Sequence, residues 1–171
     1  RGVAVPLSAE TTLLLELRAA IAGLRQAMAD SNRSVPLQVQ GTFDAHGRMV
    51  LGSDIGAFLG AVGNSGAAIL GLNCSTGPKE MRGHIERFRA LTSTPLSMLP
   101  NAGMPENHDG QAVYSMSADE FAATMAPMVT EEGVSVVGGC CGTTAEHIRA
   151  LAATLDGARV GNRREPRLHC H

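Results

Sequence analysis

The sequence predicts an α/β protein built around a parallel sheet, and two observations carry that prediction. Short apolar runs of four to seven residues alternate with longer stretches of helical spacing along the whole chain. Two of the runs, Ala67–Leu72 and Val134–Val137, lead into a turn containing Gly and Cys and then into a helix-like segment. Strand, turn, helix is the order in which α/β proteins place a site at the carboxyl edge of the sheet.

The elements follow in order. Val3–Ala9 reads as a strand, and Thr12–Ala29 as a helix with Leu13, Leu17, Ala20, Leu24 and Ala27 on one face. Leu37–Phe43 is the next strand, closed by the turn Asp44–Gly47, and Ser53 caps a helix to Val62. After the strand Ala67–Leu72, Pro78 opens a helix to Leu91, where its missing N–H is harmless. Leu96–Leu99 is a strand running into Pro100–Pro105, a loop covers Glu106–Met116, and Ser117 caps a helix to Thr130. Val134–Val137 and a helix over Thr144–Leu155 close the pattern. Five such units with right-handed crossovers make either an open doubly wound sheet or a barrel. A complete (β/α)8 barrel takes about 250 residues, so a chain of 171 supplies only part of one.

Composition excludes several classes. A net charge of −2 without blocks of like charge, and 3% aromatic residues, argue against a nucleic-acid partner. The longest uncharged stretch, Ile55–Asn73, is broken by Gly60, Gly63 and Gly66 and does not read as a membrane span. No G-x-G-x-x-G follows the first strand and no P-loop motif occurs. Four cysteines in 171 residues are too sparse for a disulfide framework, which points to a reducing, cytoplasmic setting. The start at Arg1 reads as a piece of, or a processing product from, a longer chain.

The cysteines carry the chemistry. Cys74 lies in Gly71–Pro78, and Cys140 and Cys141 are adjacent in Gly138–Thr144. Three thiols brought to one sheet edge, with no fixed fourth protein ligand, fit a catalytic zinc site with an open position. Neighbouring side chains of an ideal strand diverge, and Gly138, Gly139 and Gly142 are read as the residues that let the adjacent pair converge. Thr143 and Glu146 fit a capping box, whose helix amino end favours thiolate. Against this, Cys74 taken alone also fits ordinary core packing. Cys170, between His169 and His171, reads as part of a stray tail.

Three motifs in order, Ile69–Met81, Pro100–Gly103 and Val137–Ile148, together with Gln38–Asp44, resemble the homocysteine-binding barrel of the zinc-dependent homocysteine methyltransferases. Gly77-Pro78-Lys79-Glu80-Met81 and Pro100-Asn101-Ala102-Gly103 are closer to the cobalamin-dependent methionine synthases than to the betaine or S-methylmethionine enzymes. The resemblance spans residues 10–155 and implies the second half of a TIM-type barrel over residues 1–156, with 157–171 a linker toward a further domain. It implies that Cys74, Cys140 and Cys141 bind zinc and that homocysteine sulfur takes the open position for methyl transfer from methylcobalamin, giving methionine. It places Asn101 beside the metal, though a turn residue after Pro has the same pattern. Glu10, in a Glu-Thr pair, is matched to a contact for the substrate amino group, although Thr12–Leu17 is one residue shorter than the family pattern and lacks its Asp. Cobalamin and methyltetrahydrofolate would bind on other domains, and the earlier barrel units with their Asp-Gly-rich loop would lie on an amino-terminal half. A half barrel is expected to expose two strand edges and apolar inner faces, and so to self-associate or to require its other half. The alternatives are a betaine- or S-methylmethionine-type enzyme and a non-catalytic zinc-binding module.

Overall fold

A computed structural model describes the backbone of residues 7–11 and the whole of residues 13–162. Its order is β1 (Leu7–Thr11), α1 (Leu14–Asp30), β2 (Leu37–Gly41), α2 (Ile55–Val62), β3 (Ile69–Asn73), α3 (Pro78–Leu91) and β4 (Leu96–Leu99). A hairpin, β5 (Glu106–His108) and β6 (Gln111–Val113), follows, then α4 (Ala118–Thr130), β7 (Val136–Val137) and α5 (Ala145–Thr154). The main sheet is parallel throughout, in the order β1-β2-β3-β4-β7. Each main strand therefore pairs with the strand of the preceding unit, as in the wall of a (β/α)8 barrel.

Burial shows on which side the helices lie. Leu37 and Val39 of β2, Leu70 and Leu72 of β3, and Leu96 and Met98 of β4 join Leu17, Ile21, Phe58, Ile85, Phe88, Phe121 and Met125 in a single core cluster. Strand residues alternate between faces, so these positions share one face and the helices cover it as one layer. The alternate positions carry Gln38, Gln40, Asn73 and Ser97, all buried and none in that cluster. A doubly wound sheet would be apolar on both faces; this one is singly wound. The expectation of apolar inner faces holds only in part: the row Gln40–Gly71–Ser97 is polar and small, while Ile69, Leu99 and Val136 occupy other inner positions. Gln40 Nε2 donates to Ser97 Oγ at 3.1 Å, bridging over Gly71, and a buried polar pair needs such a bond.

Several boundaries move by local chemistry. The carboxylate of Asp54, rather than Ser53, caps α2, accepting from Ala57 N–H at 2.9 Å. The predicted loop over Glu106–Met116 contains the β5–β6 hairpin, whose two turn residues Asp109 and Gly110 both have positive φ (51° and 84°). That is the geometry of a two-residue primed turn. At α5 the capping box is Thr144 with His147, one residue beyond the expected Thr143 and Glu146. The first strand begins at Leu7 among the described residues, and the tail carrying Cys170, with most of the expected linker, lies outside them.

Phe43, Phe58 and Phe88 pack with ring centroids 5.6–6.0 Å apart and tie α2, α3 and the β2 loop together. Arg89 of α3 pairs with Glu132, which Arg82 also reaches at 3.1 Å, anchoring the segment that leads into β7. Among the described residues, no helix is long and apolar enough to cross a membrane.

Gly71 tests the inner row directly. A Cβ there would fall on both the Ser97 Oγ and the Ser97 carbonyl oxygen. Gly71→Ala is expected to destabilise by about 1–3 kcal/mol in urea unfolding, the range of overpacked cores. Ser97→Ala in the same chain should recover only part of that, because the carbonyl remains.

Candidate metal centre

Three sheet-edge segments build the site, and the middle one joins the outer two. Cys74 follows β3, and its N–H continues the ladder by donating to Leu99 O at 3.0 Å. Cys140 and Cys141 follow β7, where Cys140 N–H donates to Pro100 O at 2.8 Å. Between them, Asn101 N–H donates to Thr76 O at 3.0 Å on the Cys74 side. On the other side Asn101 Oδ1 accepts from Cys141 N–H at 3.1 Å, and Ala102 N–H donates to Cys141 O at 2.9 Å. Both backbone groups of Cys141 are thus held by the Pro100–Ala102 turn.

The thiols converge. Cys74 Sγ lies 3.6 Å from Cys141 Sγ, which lies 3.9 Å from Cys140 Sγ, and all three sulfurs are within 4.8 Å of one another. A tetrahedral zinc at about 2.3 Å from each sulfur keeps its sulfurs ~3.8 Å apart, so the donor set and its spacing fit that ion. Cys74 and Cys140 are half-buried and Cys141 is exposed, which leaves one side of the cluster open. All three are free thiols.

Electrostatics point the same way. Burial first, and then hydrogen bonding to and charge on Cys74, push the Cys140 thiol up to about 12. Among the protein groups alone, burial and adjacent sulfurs outweigh the helix end that was expected to favour thiolate. Three thiolates at this spacing need a cation to offset their charge.

The backbone is strained at the first ligand. Cys74 and Ser75 have consecutive positive φ values, 59° and 65°, although neither is glycine. Strain of this kind concentrates at functional sites. In the second cysteine loop only Gly142 needs the left-handed region (φ 76°). Gly138 and Gly139 serve by their small size instead: a Cβ on Gly138 would sit 2.8 Å from Leu99 Cδ2, and one on Gly139 would meet the Thr143 side chain.

Of the residues singled out in the sequence, Cys74, Cys140, Cys141 and Asn101 come together. The backbone of Glu10 lies in β1 opposite Gln40, and its side chain is outside the description. Two residues at the site were not singled out. Tyr114 sits against Gly142, and burial first and then the neighbouring Cys141 hold its phenol above the usual tyrosine range. His147 is buried behind the cysteine pair. Tyr114 belongs to no motif, so nothing local marks it; His147 falls within the Val137–Ile148 motif but in an unexpected capping role.

Residues 6–155 match the family model for homocysteine S-methyltransferase. The chain is 44% identical over 158 residues to a methionine synthase of Mycobacterium leprae, covering 92% of this chain and 13% of that protein. It is 44% identical over 142 residues to the methionine synthase of Mycobacterium tuberculosis, covering 83% and 12%. The chain thus spans about an eighth of the length of the curated relatives it matches. Among solved structures, the oxidized homocysteine methyltransferase MmuM from Escherichia coli aligns with TM-score 0.60 and 21% identity, over 86% of this chain and 44% of that one. Its metallated form aligns with TM-score 0.51 and 23% identity, over 78% and 40%. These likenesses show the fold: consecutive units of a TIM-type barrel.

The strained ligand loop yields a test of its own. Ser75→Gly should relieve a left-handed non-glycine residue and stabilise the chain by about 1 kcal/mol, read as a higher urea midpoint at unchanged slope.

Proposed function

This chain belongs to the homocysteine S-methyltransferase family, and from that premise we propose that Cys74, Cys140 and Cys141 hold a zinc ion that activates the thiol of homocysteine for methylation. The observation that carries the reading is the sulfur spacing, 3.6 and 3.9 Å, at an open sheet edge. Zinc bound there supplies Lewis-acid chemistry, keeping a thiol deprotonated and nucleophilic at neutral pH.

The chain's own residues do the rest by position. Cys141, exposed at the rim, lies on the side from which substrate enters. Asn101 is buried with its Oδ1 committed to Cys141 N–H, so it sets the cysteine pair, and it is assigned a place beside the open position. Glu10, in the first described strand, is assigned to the substrate amino group. Gln40, Ser97 and Asn73 line the inner face below the site with polar groups, suited to an amino-acid substrate rather than an apolar one.

The relatives' name, methionine synthase, supports methionine as product, and the motifs Gly77–Met81 and Pro100–Gly103 assign methylcobalamin, carried on another domain, as methyl donor. Residues 1–156 are read as the carboxyl half of the barrel, with β1 and β7 as the edges that an amino-terminal half closes; residues 157–171 lead on toward the cobalamin- and folate-binding domains. The working place is the cytoplasm, where free thiols stay reduced.

Metal analysis tests the proposal. The purified chain is expected to hold one zinc, and Cys74→Ser, Cys140→Ser and Cys141→Ser each to lose most of it. At zinc one hundredfold above Kd the wild type should gain about 2.7 kcal/mol of stability, reversed by a chelator. Radiolabelled methyl transfer from methylcobalamin to homocysteine, measured with the amino-terminal half supplied, tests turnover. Metal content indifferent to all three substitutions would sink the reading.

A further inference from the structure

His147 is buried in the first turn of α5, shortly after the cysteine pair, and its two ring nitrogens face different segments. Thr144 N–H donates to Nδ1 at 3.2 Å, so Nδ1 is the acceptor. Nε2 lies 2.9 Å from Met116 O, a carbonyl that can only accept, so Nε2 carries the proton. The Phe121 ring packs edge-on against the imidazole at 5.6 Å and holds its plane. A neutral imidazole of one tautomer therefore ties α5 to residues 114–116, the strap between β6 and α4.

The strap in turn lies against the cysteine loop and the turn beside it. Met116 N–H donates to Ala102 O at 3.2 Å, and Ala102 N–H donates to Cys141 O at 2.9 Å. A Cβ on Gly103 would come within 3.2 Å of Met116 Cβ, and one on Gly142 would fall on Tyr114 Cβ and Cγ. Thr143 N–H and Oγ1 both donate to Cys140 O, at 3.2 and 2.7 Å, which folds the cysteine loop on itself. The bonds close a ring that runs from Cys141 to Ala102, Met116, His147 and Thr144, and back along the chain to Cys141. Its other links are backbone, so closure depends on the His147 side chain.

Capping α5 does not by itself call for an imidazole, because Glu or Gln at the same position completes a capping box. What His147 adds is a second nitrogen, directed away from the cap, that reaches a carbonyl of another loop. Bonds outside the ligand shell that orient the ligands strengthen metal binding. We propose that His147 is a positioning residue for the metal centre: by bonding Met116 O it closes the ring that holds Cys140 and Cys141 in place beside Cys74. This rests on the zinc reading above.

Zinc affinity, measured by competition with a chromophoric chelator, is the readout. His147→Ala is expected to weaken zinc binding about tenfold, the lower end for loss of a partner outside the ligand shell. His147→Glu, which can cap α5 but has no donor for Met116 O, should weaken it as much. His147→Gln, which caps and carries a donor, should recover part of the loss. Ile85→Val, in the core on α3, lowers the urea midpoint and should leave zinc affinity as in the wild type, so a general loss of stability does not imitate the effect. Wild-type affinity in His147→Ala, or a Glu variant that binds as well as the Gln variant, overturns the proposal. A wild type that binds no zinc sinks the zinc reading instead. The ring is then judged in the metal-free chain by amide hydrogen exchange. The Cys141 N–H, bonded to Asn101 Oδ1, must exchange faster in His147→Glu, and an unchanged rate there overturns the proposal as well.

Discussion

The last strand of the sheet is two residues long, so the ladder alone holds Cys140 and Cys141 only weakly beside Cys74. What fixes them is the Pro100–Ala102 turn wedged between the two cysteine loops. It bonds Thr76 on one side and both backbone groups of Cys141 on the other. Three sulfurs from strands separated by β4 can meet only if β4 ends in a turn of this shape. The Asn of that turn is therefore a structural clasp before it is anything else, and its side-chain amide replaces the ladder bond that a longer β7 would have made.

Below the rim, the sheet keeps its two faces chemically distinct. The helix-facing rows are aliphatic and join one core, while the inner row is Gln40, Gly71 and Ser97, with Gly71 leaving room for the Gln40 amide to reach Ser97. Buried polar side chains are tolerated when satisfied, and a network of them specifies geometry more tightly than apolar packing does. The cost of deleting them would fall on the floor of the site rather than on the main core.

At the rim itself, local preference gives way to chemistry. Two consecutive non-glycine residues in the left-handed region, and a thiol pushed up to about 12, are conditions a stable loop would avoid. They are understandable where one cation would offset several sulfur charges. Breaches of local preference are expected where a site has been built.

The alternation of strands and helices was legible in the residues because apolar periodicity, Pro78 at a first turn and the Ser117 cap are local signals. So were the three cysteines and Asn101, which lie at strand ends within recognisable motifs. Asp109-Gly110 was an equally legible signal for the hairpin and was read as loop. The capping partner moved from Glu146 to His147 because a buried imidazole can accept at one nitrogen and donate at the other, which Glu cannot do across to Met116. The sequence by itself determined the α/β class, the order of units and the identity of the thiols. Tertiary structure alone decided the single helix layer, the polar inner row, the sulfur separations and the place of Tyr114 beside Cys141. Those depend on strand register and on contacts between residues far apart in the chain, which no local pattern encodes.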